Sequence, residues 1–213
     1  MTLEPRTPES NTKEIVDNDF MEDAEIGVNS ETANDAVIPD EPMNGAIANL
    51  VTITSEPLEG RKRRLSAKIT IPHDLENIWK ILTDYDQLSD FIPSLKESRK
   101  ISCPTGGIRI EQVGSQSLLK IKFCARVVLD MFEDFPHRID FKMVEGDFKE
   151  FYGAWILQPI ADAEISSTAL EYTLDVLPSR LMPVGLIEKK LSHNLHVNLT
   201  SIYNRANILF GEA

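Results

Sequence analysis

Nowhere in the 213 residues does an apolar run approach the roughly 18–20 needed to cross a bilayer, so membrane contact, where it occurs, is expected to be peripheral. Cysteine is scarce. Cys103 and Cys124 are the only two and lack CxxC spacing, which favours reduced thiols over a disulfide or a metal site. A basic, apolar secretory leader is lacking, and the acid-rich start is unlike a transit peptide, so a cytoplasmic location is expected. Missing too are a G-x-S-x-G elbow, a phosphate-cradling glycine loop and a dinucleotide fingerprint. Nucleophilic and nucleotide chemistry are thereby left without a carrier, and no cofactor is expected.

Charge is present in quantity but unevenly placed. Residues 1–60 hold 14 of the 34 acids and 2 of the 22 bases, so the net charge of −12 resides there and residues 61–213 carry 20 of each sign. Residues 1–45 mix dispersed acids with Thr, Asn, Pro and Ser and have no sustained apolar period. Such a segment buries too little surface to offset its ordering entropy, and a disordered acidic tail is expected ahead of one folded domain over 46–213.

Within that domain, Leu50–Thr54 and the alternating Arg64–Ile71 predict two strands around Glu59-Gly60, the first ending before Pro57. Leu75, Ile78, Trp79 and Leu82 fall at i, i+3, i+4 and i+7, one face of a short helix with Asp74 placed to cap it. A second short helix is expected from about Tyr85 to Phe91, before Pro93. Gly106-Gly107 signals a hairpin between Glu97–Ser102 and Ile108–Val113. Lys120–Met131, Arg138–Val144, Phe148–Gln158 and Thr168–Leu177 then alternate as strands with one dry face. Residues 184–209 predict one long helix, because Val184, Ile187, Leu191, Leu195, Leu199, Ile202, Ala206 and Leu209 step by three or four.

This order of elements, with Pro72, Ile78-Trp79, Leu82, Asp84-Tyr85 and Phe91-Ile92-Pro93 in place, resembles the START-like (SRPBCC) superfamily over residues 48–210. Within it the chain is similar to the polyketide cyclase/dehydrase and coenzyme Q-binding group. The resemblance implies an α+β helix-grip fold: a curved antiparallel sheet of about seven strands wrapped around the C-terminal helix, with two short helices after the first strand. It also implies a cavity for lipids, quinones or polyketide-like molecules. Members range from carriers to cyclases, so no shared active site follows.

The expected ligand wall comprises Phe123, Met131, Phe141, Met143, Trp155 and Tyr172 on the strands, Leu191, Leu195 and Asn198 on the terminal helix, and Leu88, Phe91 and Ile92 as a gate. A carrier or sensor of a hydrophobic small molecule needs no polar motif, since apolar burial itself contributes about 25 cal/mol per Å². Acid–base cyclisation would draw on Arg109, Glu111, Glu150, Tyr152, Tyr172 or Asn198, though none forms a catalytic motif. Binding to ribosomes or other proteins ranks third. His193 and His196, three apart, fall off the apolar stripe and lack a matching third ligand, so no metal is expected. Arg61, Lys62, Arg63 and Arg64 form the one dense basic run, suited to weak contact with anionic lipid headgroups; the charge neutrality of 61–213 argues against nucleic acid.

Overall fold

Alternating β-branched and aromatic residues build eight strands in the computed structural model, which describes residues 50–211 except 105, 119, 120 and 162–164, and leaves the side chains of 115–118 and 121–123 undescribed. The expectation of a disordered tail over 1–45 lies outside the described residues, all of which belong to the unit Asp40–Ala213. The strands are β1 (Thr52–Pro57), β2 (Arg63–Ile71), β3 (Leu95–Ile101), β4 (Ile108–Leu118), β5 (Ile121–Asp134), β6 (Arg138–Gly146), β7 (Glu150–Ile160) and β8 (Ser167–Leu177). They form one antiparallel sheet in the order β1-β2-β8-β7-β6-β5-β4-β3. After β2 the chain crosses to the far edge through α1 (Leu75–Thr83) and α2 (Leu88–Phe91), then meanders back strand by strand until β8 pairs with β2. The last element is α3 (Val184–Phe210).

Several expectations need correction. The sheet has eight strands rather than about seven, and both short helices follow the second strand, because edge strand β1 is added ahead of β2. β1 does not stop before Pro57, which pairs with Arg63. An edge strand tolerates proline because its outward side has no ladder bond to lose. The second helix is only Leu88–Phe91, with residues 85–87 forming a turn. Asp74 precedes α1 without a side-chain cap bond; its carboxylate accepts the Ser166 hydroxyl instead.

The core lies between the sheet and the helices. Leu75, Ile78, Trp79, Ile81 and Leu82 bury one face of α1, and Leu170, Tyr172, Leu174 and Val176 bury one face of β8. On α3 the buried ridge is Ile187, Leu191, Leu195, Leu199, Ile202 and Ala206, while Leu209 at its last turn is exposed. At about 1.5–3 kcal/mol per fully buried aliphatic side chain, this ridge is the main force seating the helix. Among the described residues no helix is long and apolar enough to cross a membrane.

Gly153 in β7 permits a close approach. A β-carbon there would collide with the Thr173 carbonyl oxygen and stand 2.7 Å from the Phe141 ring, so the sheet would have to part at its tightest point. Gly153→Ala is expected to destabilise the fold by roughly 1–3 kcal/mol, read as a lower urea midpoint; an unchanged midpoint would mean that β7 and β8 adjust freely.

Candidate functional site

α3 does not sit evenly in the hollow of the sheet. It packs against β1 and β2 at one edge and against α1 and α2, and a cavity of about 90 Å³ opens under its other flank. The floor comes from Gln112 and Gly114 of β4, Ala125 and Val127 of β5, Phe151 of β7, and Tyr172 and Leu174 of β8. Ser94 and Leu95 close one side, Phe148 another, and Ile187, Lys190, Leu191, Asn194, Leu195 and Asn198 form the roof. A second void of about 60 Å³ lies deeper, lined mainly by apolar side chains including Leu82, Leu88, Ile92, Met131, Phe141, Trp155 and Ile202. Leu95, Gln112, Tyr172 and Asn198 border both spaces and act as the partition between them.

The roof is polar along one line. Lys190, Asn194 and Asn198 are spaced by four, so they share a helix face beside the apolar ridge of Leu191, Leu195 and Leu199. Lys190 is only 4% exposed, and burial holds its ammonium pKa below the ordinary 10.5. The Asn194 Oδ1 atom is buried and has no hydrogen-bond partner among the described residues. Asn198 Oδ1 accepts from Ser94 Oγ at 2.9 Å, while Gln112 Nε2 donates to Ser98 Oγ at 3.2 Å. Tyr172 lies flat on Trp155 with ring centroids 3.8 Å apart and meets Phe141 edge-on at 5.8 Å. Burial pushes its phenol pKa up, which keeps it neutral and a hydrogen-bond donor at physiological pH.

Of the wall expected from sequence, Tyr172 and Asn198 border both spaces, Leu191 and Leu195 line the first, and Leu88, Ile92, Met131, Phe141 and Trp155 line the second. Phe91 instead stands in an outer groove with Arg205, whose guanidinium lies 5.3 Å from its ring centre. Met143 is half-buried against the core but lines neither void, and the Phe123 side chain lies outside those described. Lys190, Asn194 and Gln112 were missed. The signal for the first two was their spacing of four from Asn198, and for Gln112 its alternation with Ile110 and Gly114.

Most other polar candidates turn away from the cavity. Arg109 forms a two-point pair with Asp130 at 2.5 and 2.9 Å, and Glu111 is held by Arg99 and Arg126, which lowers its carboxyl pKa. Glu150 pairs with Lys62 at 2.7 Å, and the Lys62 ammonium lies 4.9 Å from the Tyr152 ring centre. The basic run is engaged within the chain: Arg61 donates to the Ser179 and Met182 carbonyls, Arg63 to Glu188 and Arg64 to both oxygens of Asp175. It clasps the start of β2 to the approach and first turn of α3. His193 is exposed and His196 half-buried, and among the described residues no His, Cys, Asp or Glu cluster could hold a metal ion.

A family model described as polyketide cyclase / dehydrase and lipid transport matches residues 71–199, a span that includes every residue of the first cavity. No curated protein matches the chain. Among solved structures, a START superfamily protein from Mycobacterium smegmatis aligns with TM-score 0.58 at 16% identity, covering 68% of this chain and 98% of that one. The Zhui aromatase/cyclase from Streptomyces sp. R1128 aligns with TM-score 0.56 at 14% identity, over 68% and 94%. A STAR-related lipid transfer protein from Xanthomonas axonopodis gives 0.57 at 12%, over 74% and 94%. At these identities the likeness is one of fold.

The buried ammonium has a consequence for stability. Its folded pKa is lowered, so the unfolded chain binds the proton more tightly; stability is reduced at neutral pH and recovers as pH rises from the folded pKa towards 10.5. Lys190→Met should therefore raise Tm at pH 7, measured by thermal unfolding. The gain should shrink near pH 10, and a lower Tm at pH 7 would make the ammonium a net contributor to the fold.

Proposed function

The chain belongs to the polyketide cyclase / dehydrase and lipid transport family, and we propose that it carries or senses a hydrophobic small molecule, of lipid, quinone or polyketide-like character, in the cup beneath α3. The observation that carries this reading is the space between helix and sheet, floored by apolar side chains and roofed by a short polar line. A ligand there is shielded from water on most sides, and a few polar groups fix its orientation, as in small-molecule sites generally.

Size sets the condition for binding. Pockets for drug-sized ligands measure about 300–1,000 Å³, whereas the two spaces here are about 90 and 60 Å³. A lipid-sized guest therefore has to join them. Gln112 is the natural part of the partition to yield, since among the described residues its amide is held by a single 3.2 Å bond to Ser98. Losing that bond costs about 0.5–1.5 kcal/mol, while each 100 Å² of apolar ligand surface buried returns about 2.5 kcal/mol. Binding and opening are thus coupled, with the ligand supplying the driving force.

The described lining suits hydrogen bonding more than bond making: amides, the Ser94 hydroxyl, one ammonium and one neutral phenol. A cyclase- or dehydratase-type reaction is the second reading, resting on Lys190 and Tyr172 facing one cavity. It would require turnover that disappears in Tyr172→Phe at unchanged Tm. Contact of Arg61, Lys62, Arg63 and Arg64 with an anionic membrane would compete with the intramolecular bonds each already makes.

Gly114 offers a direct test, because a β-carbon there meets only the Ser94 and Ala125 carbonyl oxygens at 3.7 and 3.8 Å, ordinary contact distances. Gly114→Leu should fill the first cavity and weaken binding of N-phenyl-1-naphthylamine at least about tenfold, equivalent to about 1.4 kcal/mol, with Tm retained. Native mass spectrometry of the gently purified wild type should show a co-purified apolar molecule that the variant lacks. Equal probe binding by the two proteins would put the apolar site elsewhere.

A further inference from the structure

The waist of the cup, where the two voids meet, holds an enclosed donor with nothing to bond. Tyr172 borders both voids and is only 8% exposed, and its hydroxyl makes no hydrogen bond among the described residues. A buried polar group is ordinarily paired by protein, water or ligand. The ring is not free to turn towards a partner, because it is stacked on Trp155 and met edge-on by Phe141. Asn198, also at both voids, is oriented from behind: its Oδ1 accepts from Ser94 Oγ at 2.9 Å, and Ser94 is itself buried. Its amide hydrogens are left to donate. Lys190 does not enter, since it lines the first void only and is engaged within the chain. Apolar walls continue on both sides of the waist, with Val127, Phe151 and Leu174 in the first void and Met131, Phe141 and Trp155 in the second.

Building on the cup-binding reading, we propose that the ligand carries a carbonyl oxygen partway along an otherwise apolar body, received at the waist by the Tyr172 hydroxyl and the Asn198 amide. A carbonyl oxygen has two lone pairs and no hydrogen, so it takes both donors and brings no donor of its own. A hydroxyl also accepts, but adds a hydrogen that has to be placed as well. When the partition opens, Gln112 moves aside while Tyr172 and Asn198 stay, fixed by ring stacking and by Ser94. The hydrocarbon on each side of the carbonyl then fills one void.

The full chain is titrated with 6-undecanone, 2-undecanone and 6-undecanol by displacement of N-phenyl-1-naphthylamine, in the wild type, Tyr172→Phe and Asn198→Leu, with Tm read alongside. The wild type is expected to bind 6-undecanone roughly threefold or more tighter than either of the others, the worth of a neutral hydrogen bond. Tyr172→Phe keeps the ring stack and removes only the hydroxyl. It should bring the ratio between the two ketones to about one while 2-undecanone binds as before. Asn198→Leu should lower the same ratio, so that a folding defect in one variant leaves the other to decide. Equal binding of the two ketones by the wild type, a positional preference that survives the substitutions, or tighter binding of the alcohol would overturn the carbonyl assignment while 2-undecanone still reports a working cup. Failure of all three compounds to bind would overturn the cup reading and this assignment together.

Discussion

The seat of α3 is the constraint from which the remaining geometry follows. Leu195, Leu199 and Ile202 are almost wholly buried in the hollow of the sheet, and the two ends of the helix are tied separately. At its start, Arg63 holds Glu188 while Arg61 grips the carbonyls of the preceding loop. Near its end, the His73 ring lies 2.9 Å from Asn207 Oδ1, joining the turn before α1 to the last turns of the helix. Between these ties the helix leans towards β1 and β2, and the strands curving away from it on the other side leave the cavity. The space beneath the helix is thus a product of how the helix is anchored, together with the small residues Gly114 and Ala125 in its floor.

The same leaning explains why polar groups are tolerated on a buried face. A helix packed on both flanks would surround positions 190, 194 and 198 with hydrocarbon, where a buried polar group is costly. Here they border a cavity. Burial lowers the pKa of Lys190, and Asn194 Oδ1 is buried without a hydrogen-bond partner among the described residues, which costs stability. Such costs concentrate where a protein exchanges stability for recognition. On the opposite face of the sheet the polar groups are paired instead, as in the Arg99–Glu111–Arg126–Glu145 network.

The strands and α1 could be read from the chain because each is half-buried, and half-burial imposes a period. Ile139 and Phe141, or Leu170, Tyr172 and Leu174, alternate with solvent-side neighbours, and α1 repeats at the spacing of one helical face. Proline at the end of β1 escaped because its effect depends on whether a strand is at an edge, a property of the assembled sheet. Asp74 escaped for a similar reason: its partner, Ser166, is 92 residues away. The polar roof was hidden by the rule that revealed the ridge. Hydropathy assigns leucines inward and lysine or asparagine outward, so a wide buried arc containing both is read as a narrow stripe. Phe91 shows the reverse error: an aromatic beside Ile92 that faces an outer groove with Arg205.

The order of strands also bears on the mechanics of the cup. β1 and β3 are the two margins of the sheet and, among the described residues, do not pair with one another; the chain reaches β3 from β2 through α1 and α2. A closed barrel can widen only by breaking ladder bonds or shifting register, whereas an open sheet can uncurl with every inter-strand bond intact. The molecule is therefore a spring clip rather than a box. Any change in the volume beneath α3 would then draw on the bending stiffness of the sheet before its inter-strand bonds.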